Sequence, residues 1–161
     1  MAKLFVLLIS LFSISYAAHY AVLAAGSNGY WNYRHQADVC HAYQILISHG
    51  VPAENIITLA YDDIANNHSN PFPGALYNKP GTSPPNVYDG CVIDYKGSAV
   101  NSANFLAILK GDKTGVTGGN GRVLESGATD HVFINFVDHG APGLIAFGNE
   151  RLYADTLIDT L

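Results

Sequence analysis

The feature that most restricts the fold is a strand, helix, strand succession in the first part of the chain. His19 to Ala25 is a continuous apolar run that stops at Gly26-Ser27-Asn28-Gly29, the pattern of a strand buried on both faces running into a tight loop. Beyond the loop, Val39, Ala42, Tyr43, Leu46 and Ile47 recur at three- and four-residue spacing up to Gly50, just ahead of Pro52. That spacing predicts a helix over His35 to His49. Ile56 to Tyr61 is a second apolar run, and two such strands with one helix between them call for a right-handed parallel crossover. The expected fold class is therefore α/β, with a mostly parallel central sheet flanked by helices.

From Asp62 to Val100 the regular pattern fails, and five of the seven prolines fall between Pro71 and Pro85. An irregular excursion of this length either shapes a binding cleft or is an insertion without a chemical role. Asn101 or Ser102 can cap a short helix that presents Phe105, Leu106 and Leu109 and ends at Gly111. Gly118-Gly119-Asn120-Gly121 is glycine-rich, but no lysine and hydroxyl residue follow it in phosphate-loop order, so it reads as a turn. Val132 to Val137 is the strongest strand in the chain and delivers Asp138-His139-Gly140 at its carboxyl end. Leu144 to Phe147 reads as a short strand or hairpin arm, and Leu157, Ile158 and Leu161 suggest a further helix.

At 161 residues and 48% hydrophobic content the chain supports one core, hence one domain. With 13% charged residues and a net charge of -5 it lacks the basic face that nucleic-acid binding demands. Residues 1–17 read as a signal peptide: Lys3 opens it, Leu4 to Ile14 is apolar apart from two serines, and Ser15-Tyr16-Ala17 offers small residues at the cleavage positions. The apolar run is shorter than the roughly 20 residues of a spanning helix, so no membrane association is expected once it is removed. The mature domain would then be residues 18–161. In the oxidising compartment this leader implies, Cys40 and Cys91 are free to pair, although a buried thiol acting as a small hydrophobe is the commoner explanation of a helical Cys40. Asn67-His68-Ser69 is an N-glycosylation sequon in a polar stretch.

Ligands of open α/β sheets bind outside the carboxyl ends of the strands. Asn32-Tyr33-Arg34-His35 follows the first strand, and Asp138-His139-Gly140 follows the third. If those two strands are neighbours, both clusters face one crevice. Plainer readings stand beside this one: His139 as a surface residue, Asn32 as a helix cap, and Arg34 as an exposed partner of Asp38 one helical turn later. His41, His49, His68 and His131 have no metal-ligand spacing among themselves, and no metal or organic cofactor is indicated.

The run Ala25 to Asp38, AGSNGYWNYRHQAD, is similar to the opening segment of the legumains, the asparaginyl endopeptidases or vacuolar processing enzymes, apart from the order of the aromatic pair. Tyr61-Asp62-Asp63-Ile64-Ala65, Asn70-Pro71, Pro73-Gly74, Asp94-Tyr95, Asn104-Phe105-Leu106, Gly111-Asp112 and Asp130 to Ile134 continue the likeness, which ends at Asp138-His139-Gly140. It covers the chain from Tyr20 onward and departs from the family at Ala141-Pro142 and Cys91. The resemblance implies a caspase-like cysteine peptidase acting on peptide or protein substrates at asparagine, in the secretory pathway, a lysosome or vacuole, or outside the cell.

Carried over by position, His139 matches the catalytic histidine, suited to generating a thiolate and protonating the leaving amine. Gly140 matches the residue whose N–H helps form the oxyanion hole, and Asn32 the residue that orients the histidine. Arg34 and His35 match residues lining the pocket for the substrate's asparagine side chain; Asp138 matches a family aspartate beside the histidine. The nucleophile of this fold family lies at the end of the next strand, about 50 residues after the histidine in caspases, and no cysteine follows His139. The resemblance thus implies a partial domain, incomplete at its C-terminal side and inactive by itself. Cys40 and Cys91 lack the exposed, electropositive setting a reactive thiol needs. Two alternatives accompany this reading: a non-catalytic relative that binds peptides, and the related glycosylphosphatidylinositol transamidase subunit, against which the match of Asn32 to Asp38 weighs.

Overall fold

A computed structural model describes residues 17–161, so nearly all of the leader expected at residues 1–17 lies outside the described residues. Three strands form a parallel sheet in the order β2-β1-β3, where β1 is His19–Ala25, β2 is Ile56–Leu59 and β3 is His131–Val137. The first and third strands are neighbours, in register from His19↔His131 to Ala25↔Val137. β2 stops two residues before its apolar run does, because Asp62 adopts a left-handed φ of 59° and turns the chain away.

Helix α1, Tyr33–Ser48, begins earlier than its apolar spacing predicts because a 3-10 turn, Tyr30–Asn32, winds directly into it. Its end follows from Gly50, whose φ of +83° lets Val51 N–H return to Leu46 O and Gly50 N–H to Ile47 O. These two bonds satisfy carbonyls that the last helical turn leaves open. α2, Ser102–Leu109, is capped by Asn101, whose side chain accepts from Asn104 N–H.

β1 shows why its run is apolar throughout. Ala21, Leu23 and Ala25 pack on one face with Val39 and Tyr43 of α1, while Val22 and Ala24 pack on the other with Phe105 and Ile108 of α2. That second face also receives Phe147 and Leu152 from an antiparallel sheet made of β4, Gly140–Ala141, β5, Leu144–Phe147, and β6, Glu150–Tyr153. A short α3, Ala154–Ile158, follows.

The excursion between β2 and α2 is irregular, as expected, and is fastened to α1. Cys40 is not the free thiol that its helical position suggested: it is bonded to Cys91, with Cα atoms 5.5 Å apart. Around the bridge Ala37, Ile64, Ala65, Leu76 and Val87 form a third buried cluster. The burial that favoured a lone thiol is real, but the excursion folds back to supply the second sulfur.

The sheet's two edges differ. Outside β2, Asp94 and Tyr95 N–H groups donate to Thr58 O, and Thr58 N–H donates to the Asp94 carboxylate at 2.9 Å. That buried carboxylate also accepts from Arg122 at 2.7 Å. Outside β3, no strand among the described residues pairs, and Val132, Phe133 and Ile134 are 38%, 50% and 37% exposed.

Candidate active site

Parallel pairing of β1 with β3 places both carboxyl ends at one rim. The loop after β1 leads into α1 and sets Asn32 at its N-cap; the chain leaving β3 carries Asp138 and His139. Although 107 residues separate them, His139 Nε2 and Asn32 Oδ1 lie 2.8 Å apart. Asn32 Nδ2 donates to Asn28 O at 2.8 Å, which leaves Oδ1 as acceptor, so His139 Nε2–H is the donor. In the neutral ring Nδ1 then keeps its lone pair and can act as a base. Asn32 makes no side-chain cap bond to the helix it opens; its amide is spent on the histidine and the loop.

Gly140 pairs with Ile145 of β5, and the preceding residue's carbonyl, His139 O, accepts from Ala146 N–H. Hydrogen-bonded and non-bonded pairs alternate along an antiparallel ladder. The Gly140–Ile145 pair is therefore the non-bonded kind, and Gly140 N–H points away from β5. An N–H so freed at the rim beside His139 is a donor an oxyanion can use.

His35 is 4% exposed and lies edge-on to His139, ring centroids 5.1 Å apart. Its Nδ1 is 2.6 Å from Ser27 Oγ and 3.7 Å from Asp138 Oδ1. Burial pushes its pKa below the ordinary value, the neighbouring Arg34 and His139 push the same way, and Asp138 and Asp38 oppose them. Arg34 itself is exposed and donates to Trp31 O at 3.2 Å. It does not pair with Asp38, whose carboxylate is taken by the amide of Asn78.

The Asp138 side chain is 1% exposed; Oδ1 accepts from His139 N–H at 2.6 Å, and Oδ2 has no partner among the described residues. Gly26 makes room for it, since a Cβ there would stand 2.6 Å from Asp138 Oδ2 and 2.8 Å from Ala146 O. His35, Asp138 and His139 have ligand atoms within 4.8 Å of one another, the one group of this kind among the described residues. Each of the three already takes part in a hydrogen bond of the site.

All five residues expected from the sequence, Asn32, Arg34, His35, His139 and Gly140, lie at this rim. Three further residues hold it together and were not assigned roles from sequence. Ser27 bonds His35. Asp63 accepts from Gly29 N–H at 2.7 Å and from Gln36 Nε2 at 2.6 Å, fastening the loop to the helix. Gly26 gives Asp138 its space. Neither Cys40 nor Cys91 offers a thiol, because the two are bonded to each other.

A model of the peptidase C13 family matches residues 19–161. A hemoglobinase of Schistosoma mansoni is 58% identical over 142 residues, covering 88% of this chain and 32% of the relative. A legumain of Bos taurus is 53% identical over 144 residues, covering 89% and 33%. A vacuolar-processing enzyme of Citrus sinensis is 51% identical over 148 residues, covering 91% and 30%. The chain thus spans about a third of the length of these relatives.

Proposed function

The chain belongs to the peptidase C13 family, and from that premise we propose that it is the histidine-bearing part of a legumain-like cysteine endopeptidase that hydrolyses peptide bonds after asparagine. The observation that carries the reading is the 2.8 Å bond from His139 Nε2 to Asn32 Oδ1, with the His35 ring against it. In this reading His139 Nδ1 takes the proton of an attacking thiol and returns it to the leaving amine. Asn32 holds the ring, Gly140 N–H stabilises the oxyanion, and His35 with Arg34 contacts the asparagine side chain. Asp138, held by His139 N–H, adds negative charge beneath the two imidazoles.

With both cysteines in a disulfide, neither offers the attacking thiol, and in this reading it is supplied by a cysteine other than these two. Support comes from the outer edge of β3, which no strand among the described residues covers and where apolar Val132, Phe133 and Ile134 are exposed. A parallel strand added there would end at the same rim as His139. The leader expected from sequence at residues 1–17 and the similarity to a legumain and a vacuolar-processing enzyme support a secretory route to a lysosome or vacuole, or secretion. Among the described residues no helix is long and apolar enough to cross a membrane.

The same disulfide favours a second reading for the chain by itself, a non-catalytic module that binds peptides through the rim. One experiment separates the two. The chain is fused after Leu161 to the remaining C-terminal part of the Bos taurus legumain and assayed with fluorogenic peptides ending in asparagine, aspartate or alanine. Hydrolysis that prefers asparagine and disappears in His139→Ala supports the peptidase. An inactive but folded fusion, whose lone and 95% exposed tryptophan, Trp31, still changes emission with the asparagine peptide, supports the binding module.

A further inference from the structure

Ser27 is 2% exposed, and among the described residues the one hydrogen-bonding neighbour of its hydroxyl is His35 Nδ1 at 2.6 Å. A buried hydroxyl needs an acceptor for its proton. Nδ1 is the acceptor available, so Ser27 O–H donates and the neutral His35 ring carries its own proton on Nε2. Among the described residues, the buried side-chain polar atoms without partners are Thr58 Oγ1 and Asp138 Oδ2. With Nδ1 engaged by Ser27, Nε2 is the ring nitrogen left for the pocket, on a ring whose centroid lies 5.1 Å from that of His139. We infer that Ser27 is a positioning residue that fixes His35 in the Nε2–H tautomer, giving the substrate pocket a neutral donor matched to a side-chain amide oxygen.

This inference rests on the peptidase reading for its substrate and on geometry alone for the tautomer. Were the Ser27 bond absent, the ring's proton would be drawn to Nδ1 by Asp138 Oδ1, 3.7 Å away. The Nε2 side would then present a lone pair to the substrate carbonyl and repel it. Protonation on Nδ1 must also displace the Ser27 donor, so the bond holds the ring neutral. The charged and titratable groups facing His35 are Arg34 and Asp38 from its own helix and Asp138 and His139 from the end of β3. They pull in opposite directions, which leaves the Ser27 hydroxyl to decide the tautomer. A neutral N–H in place of an imidazolium removes one positive charge from the pocket and so weakens the claim of an aspartate relative to asparagine.

Long-range proton–nitrogen correlation spectra of the 15N-histidine-labelled protein read this directly. His35 should show a pyridine-type Nδ1 and a protonated Nε2, with a titration midpoint below the ordinary imidazole value. Ser27→Ala should move the proton to Nδ1 and raise the midpoint, and Ser27→Thr should restore both. A wild-type ring protonated on Nδ1, or a folded Ser27→Ala with tautomer and midpoint unchanged, overturns the proposal. If Ser27→Ala does not fold, the wild-type tautomer and the Ser27→Thr spectrum still decide it. In the Bos taurus fusion, Ser27→Ala should raise KM for asparagine peptides about fivefold, the loss expected for one hydrogen bond, with kcat little changed. A fusion inactive before any substitution refutes the peptidase reading and leaves the spectra to judge Ser27.

Discussion

Reducing the Cys40–Cys91 bridge should remove a large share of the protein's stability. The two cysteines are 51 residues apart in sequence. Closing a loop of that size in the unfolded chain removes entropy worth about 4 kcal/mol at 25 °C in the chain-entropy description. That figure is a large fraction of the roughly 5–15 kcal/mol that separates folded from unfolded domains. The folded state should change little at first, because Ala37, Ile64, Ala65, Leu76 and Val87 pack around the sulfurs whether or not they are joined. The measurement is urea unfolding followed by circular dichroism, with the same preparation studied oxidised and after mild reduction, so that the cross-link is the one variable. A loss of about 3–4 kcal/mol on reduction is the expected result. A loss under about 1 kcal/mol, or two titratable thiols in the oxidised protein, would refute the argument.

Gly26→Ala should destabilise the protein by about 1–3 kcal/mol, the usual cost of overpacking, since its Cβ would meet Asp138 Oδ2, the Ala146 carbonyl and, at 3.1 Å, the Phe136 ring; an unchanged urea midpoint would mean that the loop yields. Asn32→Ala in the Bos taurus fusion should lower kcat about 100-fold by releasing the His139 ring from its productive orientation; an unchanged kcat would remove Asn32 from the machinery. His35, with its folded pKa depressed, contributes stability that is fully present above its ordinary value of 6.5 and is lost as pH falls through the lower folded value. His35→Gln should flatten that part of the stability curve, and a wild-type stability that does not fall between pH 7 and pH 5 more steeply than the variant's would contradict the shift.

What could be read from the sequence and what could not divide along a physical line. β1 was legible because a strand buried on both faces must be apolar at every position, as Ala21 to Ala25 are; β3 was legible from its apolar run, although Val132, Phe133 and Ile134 are exposed among the described residues. The two halves of the candidate site could be placed because a polar cluster directly after such a strand sits at a known rim of the sheet. Ser27 and Asp63 were not, since each acts through a partner chosen by tertiary packing: Asp63 reaches Gly29 and Gln36 only because the excursion folds over α1. The same packing undid the local expectation that Arg34 pairs with Asp38, by bringing Asn78 to that carboxylate. It also turned Cys40 from a small hydrophobe into half of a bridge. Spacing along one helix predicts what can touch; it does not say what arrives from elsewhere in the chain.

The unequal edges of the parallel sheet lead to the last prediction. β2 needs no further partner, because Asp94 and Tyr95 close it with backbone and carboxylate bonds. β3 bonds to β1 on one side only, so alternate N–H groups along residues 131–137 point outward and, among the described residues, meet no strand. In the 161-residue chain by itself, those outward amides should exchange with solvent at least 100-fold faster than the N–H groups of β1, which lies between two strands. A thiol can reach His139 Nδ1 in the proposed geometry only if it is carried to the carboxyl rim of the sheet, and the place left for its strand is beside β3, about 4.8 Å away. In the Bos taurus fusion the outward amides should therefore become as protected as those of β1, together with the onset of hydrolysis. Hydrolysis without that protection would show that the nucleophile comes from somewhere other than a strand on β3, and the catalytic geometry inferred from the His139 and Asn32 pair would have to be redrawn.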